Sequence, residues 1–486
     1  VSLRRISTEK FRHLRMQFHA YDIVLMLQGR STSSFLLRNL RSLAIRMLLQ
    51  LFVSLAALGI ILALDRSMVS FRSACLVLGT AAAFAIHAWR RAPAPLYVGQ
   101  QGVSGVFSLP DFLRSVPEAF HAMHRGGVLS REQADRRMPS LESGGPEAVP
   151  ASAPNIILIL NESTFPPGLH QARPLDPRLA SFFRSCDGRT RRLRVETFGG
   201  GTWMSAFSLM TGIPVGTYGR FRAHVLRWSM GHIRHSLPAT LRTMGYRTAV
   251  ISPLPGDFVG EEAFYRSLGF DEFMDQESLS ARNGQESDAF YFSKALAWLE
   301  NHSKNQDKPA FLFLMTMSNH HPHGSSGPFG RGLEPFSDYL LRLDETVRDY
   351  AEFKNLLGER FPGKAFLFLH FGDHQPPFVW PRDTRPDWMA RVMELPLEER
   401  AYQTYFAVDS LGFEPKTLHE LPDFLEIAYL GTALLWAAGL PLDAVHRLRR
   451  ELALRHAGRL FFADHDGSLA RQLNQRMIEA GLLEPH

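Results

Sequence analysis

Three short apolar runs of the sequence, each typical of a buried parallel strand, are followed directly by residue types that bind metals or move protons. Because the carboxyl ends of parallel strands meet at one edge of a sheet, we expect these polar groups to lie together there. Carboxylates and imidazoles in one cluster suit a divalent cation with mixed oxygen and nitrogen ligands. An Asp-His pair alone is more often a hydrogen-bonded turn, and three such strand ends favour the metal interpretation. The runs and the groups that follow them are 155–160 before Glu162, 310–317 before the segment 318–323, and 364–371 before Asp373 and His374.

A fourth candidate is Thr202, which follows three glycines and precedes an apolar stretch of helical periodicity. This pattern predicts a tight loop that delivers the threonine to a helix N-terminus, where backbone N–H groups and the helix dipole favour an anion. A threonine hydroxyl is a poor nucleophile until a base or a metal activates it. Beside a metal, Thr202 would suit in-line attack on phosphorus. The alternative is that Thr202 only caps the helix, and the residues alone leave both interpretations open.

The elements that must position these groups alternate along the chain. The strand-like runs, with a further one at 246–252, are separated by helical patterns at 236–244, 288–301 and 335–360. Strands that alternate with helices predict an α/β fold with a mixed, mostly parallel sheet sandwiched by helices. We assign this domain to residues 154–420. We expect a C-terminal helical region at 421–486, with an apolar stretch at 429–440 that is too short to span a membrane.

The charge of the chain is concentrated at its beginning. The 486 residues carry a formal net charge of +6. The first 98 hold 13 Lys and Arg against three Asp and Glu, a net charge of +10, and the remainder holds 41 against 45, a net charge of −4. This distribution argues against a general nucleic-acid-binding protein. The two cysteines, Cys75 and Cys186, exclude a disulfide scaffold and a cysteine-rich zinc module.

The basic segment 1–98 also holds the most apolar stretches. Residues 47–64 are long enough for a transmembrane helix, residues 74–89 are borderline, and together they predict an α-helical membrane segment ahead of the catalytic domain. The alternative is two core helices of a soluble domain. A polar connector follows at 99–153. The arginines before residue 47 would favour the cytoplasm, so the charge pattern leaves the topology open.

Four motifs that occur in this order resemble those of the alkaline phosphatase/sulfatase superfamily. They are NIILILNES, GGGT followed by TGIP, TMSNHHPH and FGDHQPPF. The resemblance covers about residues 154–410 and is to its membrane-anchored branch of lipoteichoic acid synthase-like and phosphoglycerol or phosphoethanolamine transferases. It implies one divalent metal, Zn²⁺ or Mn²⁺, and a threonine nucleophile. The implied metal ligands are Glu162, Thr202, Asp373 and His374; the implied catalytic residues are Thr202 and His320; and the substrate-binding candidates are His320, His321, Arg220 and Arg222.

The sequence departs from the superfamily pattern in two places. Thr202 is followed by Trp-Met-Ser-Ala, without the proline and arginine of the motif that classical sulfatases convert to formylglycine. Phosphoglycerol-transferring relatives bind their head group with a His, a Trp and an Arg, and the matching positions here are near Ser252, Val259 and Glu261. A carboxylate thus replaces a phosphate-binding arginine, which places a phosphatidylglycerol donor in doubt.

The resemblance implies a membrane-anchored, metal-dependent transferase. It would move a phosphodiester head group from a lipid donor to an extracytoplasmic glycan or glycolipid through a phospho-threonine intermediate. The implied location is the plasma (inner) membrane with a periplasmic or extracytoplasmic catalytic domain, and no nucleic-acid partner is expected. The alternatives are a sulfatase-like hydrolase of phosphate or sulfate esters and a non-catalytic lipid-binding membrane protein.

Overall fold

The computed structural model describes residues 18–26, 109–125, 138–141, 153–169, 175–282, 286–305, 308–324, 331–379, 400–464 and 467–485, with a few single positions before residue 130. Most residues of the predicted membrane spans at 47–64 and 74–89 lie outside the described part of the chain. Within the described ranges, no helix is long and apolar enough to cross a bilayer.

One eight-stranded sheet forms the centre of the described structure. Its spatial order is β4-β3-β5-β1-β6-β7-β2-β8. All neighbouring strands pair in parallel except at β7, which is antiparallel to both β6 and β2. The strands are β1 Asn155–Asn161, β2 Arg191–Arg194, β3 Arg247–Ile251, β4 Glu272–Met274, β5 Ala310–Met315, β6 Phe366–Gly372, β7 Gln403–Leu411 and β8 Phe424–Glu426.

Helices cover both faces of this sheet, as its apolar strands require. Side chains of β1 alternate between the two cores, since Ile156 and Leu158 pack on one side and Ile157 and Ile159 on the other. The described helices are α1 Ala20–Met26, α2 Leu109–Arg125, α3 Pro177–Phe182, α4 Thr202–Thr211, α5 Val225–Ser229, α6 Leu237–Thr243, α7 Glu261–Ser267, α8 Asp288–Asn305, α9 Pro335–Arg360, α10 Leu430–Ala437, α11 Ala444–Arg455 and α12 Ser468–Glu479.

The predicted fold class is confirmed for the sheet and its covering helices: the architecture is a mixed, mostly parallel α/β sheet. The predicted strands correspond to β1, β3, β5 and β6, and the predicted helices to α6, α8 and α9. The segment expected to be helical from 421 onward also contributes β8, which pairs with β2. Its apolar stretch forms α10, which is buried in the core that also contains α11 and α12.

Candidate metal and nucleophile site

Thr202 stands at the start of α4, directly behind a left-handed glycine. Gly201 is the residue that caps the helix, with φ +84°, and no side-chain hydrogen bond completes the cap. A positive φ of this size is the conformation that glycine tolerates best. The Thr202 hydroxyl instead donates to Oε2 of Glu162 at 2.9 Å. The structure therefore excludes the interpretation of Thr202 as a simple helix cap, since its oxygen faces a carboxylate.

Glu162, Asp373 and His374 meet at the carboxyl ends of β1 and β6, which are adjacent parallel strands. Nε2 of His374 lies 3.4 Å from Oε1 of Glu162 and 3.2 Å from Oδ2 of Asp373. All three residues are buried, and one potential ligand atom from each lies within 4.8 Å of the others. The sheet thus brings together four residues that the sequence singled out, because Thr202 adjoins the same cluster.

The hydrogen bonds of this cluster leave two buried polar atoms without a partner. The backbone N–H of Ser163 donates to Oδ1 of Asp373 at 2.8 Å, and the Ser163 hydroxyl donates to Oε1 of Glu162 at 2.8 Å. Oδ2 of Asp373 and Nε2 of His374 lie 3.2 Å apart as an ion pair, but neither makes a hydrogen bond with the other or with another protein group. A buried carboxylate oxygen and a buried imidazole nitrogen without partners fit the donor set of a divalent cation.

The electrostatics of the two carboxyls support the same fit. Burial, and then the charge of Glu162, raise the pKa of Asp373 above its ordinary value. Burial also acts to raise the pKa of Glu162. The charges of His374 and His320 and the hydroxyls of Ser163 and Thr202 outweigh it and hold that pKa below its ordinary value. Two carboxylates confined together in a buried site repel each other, and a bound cation would offset this repulsion.

Backbone contacts fix the two loops that carry the cluster. The Ser205 hydroxyl, one turn into α4, donates to the backbone carbonyl of Asp373 at 2.6 Å. The N–H of Gly199 donates to the carbonyl of Gln375 at 2.9 Å. At Gly372 any side chain is excluded, because a Cβ atom there would stand 1.8 Å from the carbonyl oxygen of Thr164. These contacts hold α4 against the end of β6, which is followed directly by Asp373 and His374. The sequence patterns did not single out Ser205.

His320 lies on the loop after β5, and a buried ion pair holds this loop in place. Arg342 of α9 donates to the carbonyl of His320 at 2.9 Å and to that of Pro322 at 2.9 Å. Its guanidinium pairs with Asp338 at 2.7 Å, and both side chains are almost completely buried. The charge of His320 acts on Glu162, which indicates that the loop approaches the cluster. Sequence reasoning missed Arg342 and Asp338; their i,i+4 spacing on a helix resembles an ordinary surface pair.

The other candidate substrate residues have different surroundings. His321 is half-buried beside His323, with ring centroids 6.5 Å apart. The side chain of Arg220 lies outside the described part of the structure. Arg222 is buried, and burial lowers its pKa while the charges of Tyr402 and Glu196 raise it. Glu196 accepts from the N–H groups of residues 215 and 216, so its carboxylate anchors the loop that follows α4.

The positions that replace the head-group contacts of phosphoglycerol-transferring relatives form a small buried polar group. The Ser252 hydroxyl donates to Oε2 of Glu261 at 3.0 Å. Glu261 is 2% exposed, and burial raises its pKa to about 7 against the opposing effect of the Ser252 hydrogen bond. Val259 has φ +45° in the turn that leads to α7. A buried carboxyl with a raised pKa therefore occupies the position at which the resemblance implies an arginine in phosphoglycerol-transferring relatives.

Comparison with known families agrees with this geometry. Residues 154–376 match the Sulfatase family model. The matched segment begins at β1 and ends just beyond His374, so it contains Thr202 as well as the cluster of Glu162, Asp373 and His374.

Two curated relatives are similar to the chain. An uncharacterized protein of Haemophilus influenzae is 27% identical over 319 residues, which are 60% of this chain and 54% of the relative. A putative cyclic beta-1,2-glucan modification protein of Rhizobium meliloti is 23% identical over 237 residues, 46% of this chain and 36% of the relative. The aligned part of the chain therefore spans about half of the first relative and about a third of the second.

Among solved structures, the phosphoglycerol transferase GacH of Streptococcus pyogenes, in complex with sn-glycerol-1-phosphate, shares the fold. It matches with a TM-score of 0.50 and 15% identity, over 68% of this chain and 90% of that chain. The aligned part of the chain therefore has an alkaline phosphatase-like fold, built on a mixed, mostly parallel α/β sheet.

Proposed function

We propose that this protein is a metal-dependent transferase that moves a phosphodiester head group, phosphoglycerol or phosphoethanolamine, from a membrane lipid to a glycan or glycolipid. The observation that carries the proposal is the 2.9 Å hydrogen bond from the Thr202 hydroxyl to Glu162. It presents a nucleophile to a buried cluster that has cation-binding groups without protein partners. We further propose that the catalytic domain is extracytoplasmic and anchored at the plasma membrane by the segment 1–98, with the connector 99–153 between them.

Glu162, Asp373 and His374 would hold the cation, with the Thr202 hydroxyl beside them. When bound, a divalent cation supplies Lewis-acid stabilisation for a threonine alkoxide and for charge that develops on the phosphoryl oxygens. The donor set of two carboxylates, one imidazole and one hydroxyl suits Zn²⁺ and Mn²⁺ alike.

The side chains of the site have separate roles in the proposed reaction. Glu162 accepts the hydrogen bond of the Thr202 hydroxyl, orients its oxygen for attack on phosphorus and would take its proton. A bond forms between Oγ1 and phosphorus, the bond from phosphorus to the lipid alcohol breaks, and the head group stays on Thr202 as a phosphodiester. His320 would give a proton to the departing alcohol. In the second half of the reaction, His320 would take a proton from the acceptor hydroxyl, whose oxygen attacks phosphorus, and Thr202 would leave with the proton returned by Glu162.

Activity on a head-group-labelled diacyl lipid in vesicles, with a glycan acceptor present, tests this proposal. Thr202→Ala should lose at least about 10³-fold in rate, because it removes the nucleophile. Thr202→Ser should retain measurable turnover, because serine places a hydroxyl group at the same position. The control is Thr243→Ala, which removes an exposed threonine from α6. Retention of activity by Thr202→Ala within tenfold of the parent would contradict the proposed mechanism.

A hydrolase is the second candidate, and the group at Ser252 and Glu261 is the observation that favours it. A buried carboxyl in place of a cationic contact weakens the argument for an anionic phosphoglycerol donor. In a hydrolase, water would replace the glycan as the acceptor, and Thr202 would still carry the transferred group in the covalent intermediate. Release of labelled head group at an equal rate with and without acceptor, and with no labelled glycan, would favour hydrolysis over transfer. A sulfate ester offered in parallel separates phosphodiester from sulfatase activity.

A further inference from the structure

A second cluster of metal-binding side chains lies away from Thr202, in the part of the fold built by α6, α10 and α11. His235 precedes α6, Asp443 caps the N-terminus of α11, and His446 follows one turn later. One potential ligand atom from each lies within 4.8 Å of the others. We propose that these three side chains form a second divalent-cation site, of the zinc class, with a structural role.

The hydrogen bonds around the cluster leave one ring nitrogen of His446 available. Nδ1 of His446 is engaged by the Thr432 hydroxyl at 2.8 Å, which fixes the orientation of the ring. Its other nitrogen, Nε2, is buried without a hydrogen-bond partner, and the residue is only 1% exposed. A metal-binding imidazole characteristically has its second nitrogen held in this way by a neighbouring polar group. An unpartnered imidazole nitrogen at this depth is therefore the observation that points to a ligand.

His235 and Asp443 complete the donor set. Nε2 of His235 lies 2.8 Å from Oδ2 of Asp443. Two ligands of one tetrahedral zinc ion lie about 3.3 Å apart, so small side-chain shifts would allow both to bind the same ion. Two imidazoles and one carboxylate are a recurrent zinc donor set, and they leave a fourth position for water. The Asp443 side chain is 28% exposed, which gives an ion in solution access to the cluster.

The charges near the cluster permit a cation. The guanidinium of Arg449, one turn beyond His446, is a positive charge that acts on His446 and would repel a cation there. Its guanidinium donates to the carbonyl of Thr211 at 2.7 Å and is thus directed to the end of α4. Asp443 supplies a negative charge among the three ligands. With a divalent ion bound, the ion and the Asp443 carboxylate together would carry a net charge of +1.

The position of the cluster indicates what the ion would stabilise. Thr432, which holds the His446 ring, adjoins Gly431, where a Cβ atom would stand 2.8 Å from the carbonyl of Leu209 in α4. The cluster therefore lies behind the C-terminal half of the helix that begins with Thr202. An ion bound there would join His235 to Asp443, which lie 208 residues apart in the sequence. It would brace the helices against which α4 packs, without contact with substrate.

Metal content by mass spectrometry, after purification and dialysis with added Zn²⁺, tests the proposal on the whole chain. The parent protein should hold one equivalent at this cluster in addition to any ion at Glu162. His446→Gln should lose one equivalent, and Glu162→Gln should leave that equivalent in place. The control is His419→Gln, which removes an exposed histidine and should change nothing. Equal zinc content in the parent and in His446→Gln would overturn the proposal.

A second variant protects the test against misfolding. Asp443→Asn keeps a helix-capping side chain, because Asn caps as well as Asp, but replaces the carboxylate ligand with an amide. It should lose the same equivalent while its circular dichroism spectrum stays that of the parent. Zn²⁺ should raise the melting temperature of Glu162→Gln but leave that of the double variant with Asp443→Asn unchanged. An identical Zn²⁺-induced shift in both proteins would also overturn the proposal.

Discussion

The buried ion pair between Arg342 and Asp338 should contribute far more to stability than a surface pair of the same spacing on the same helix. The Arg342 side chain is 4% exposed and that of Asp338 is 0% exposed. Replacement of Arg342 by Met leaves a buried carboxylate without its partner and removes the donors to two loop carbonyls. Loss of one member of a buried pair costs about 3–5 kcal/mol. We expect Arg342→Met to lose about 4 kcal/mol of unfolding free energy, and catalytic turnover to fall with the displacement of the His320 loop.

The matched control is Arg348, which pairs with Asp344 at the same i,i+4 spacing in α9 and at 3.2 Å. These side chains are 59% and 30% exposed, and exposed pairs are worth about 0–1 kcal/mol. Urea denaturation followed by circular dichroism measures both variants. Asp338→Asn in the Arg342→Met background should recover part of the loss, because it removes the stranded charge. Equal, small losses from Arg342→Met and Arg348→Met would refute the reasoning that burial makes this pair important.

Three further predictions concern the packing, the pH dependence and the metal. Gly372→Ala should prevent folding, because its Cβ atom would stand 1.8 Å from a backbone oxygen. Gly358→Ala in α9 has room for a Cβ atom and should raise the free energy of unfolding by about 0.5–1 kcal/mol. Soluble yield and the midpoint of urea denaturation measure the two effects. Glu261 has a folded pKa of about 7 against an ordinary value of 4.5, so the folded state holds more protons between these values and stability falls as pH rises through this window. Glu261→Gln should therefore lose less stability than the parent on a change from pH 5 to pH 8, by about 2.5 kcal/mol in urea titrations, and an equal pH dependence of the two proteins would contradict this assignment. Chelation should abolish lipid turnover, and Zn²⁺ or Mn²⁺ should restore it; full turnover in the chelated protein would contradict a metal-dependent reaction.

The central strands and the cluster could be predicted because both depend on local sequence signals. Uninterrupted apolar runs mark β1, β5 and β6, and parallel strands bring their carboxyl ends to one edge regardless of sequence separation. This rule alone predicted that Glu162 and Asp373 would be neighbours. The glycines before Thr202 likewise predicted a helix start, although not that Gly201 would occupy the capping position.

The remaining elements depend on tertiary contacts that the sequence does not display. β2 reads Arg-Arg-Leu-Arg and forms a strand only because β7 and β8 pair on both sides of it. The supporting role of Arg342 needs the loop carbonyls that it contacts, which lie 22 and 20 residues away in the chain. The cluster around His446 shows only an Asp-x-x-His spacing at a helix start, and its third member is far away in sequence. Such sites become visible only when the fold is known.

The most direct test of the proposed mechanism is a rapid acid quench of the protein with a lipid labelled in its head group, followed by peptide mapping. We expect label to appear on the peptide containing Thr202 before or together with labelled product. Thr202→Ala should carry no label and form no product. Product that accumulates in the quenched samples while the Thr202 peptide stays unlabelled, or label found on another residue, would contradict the account.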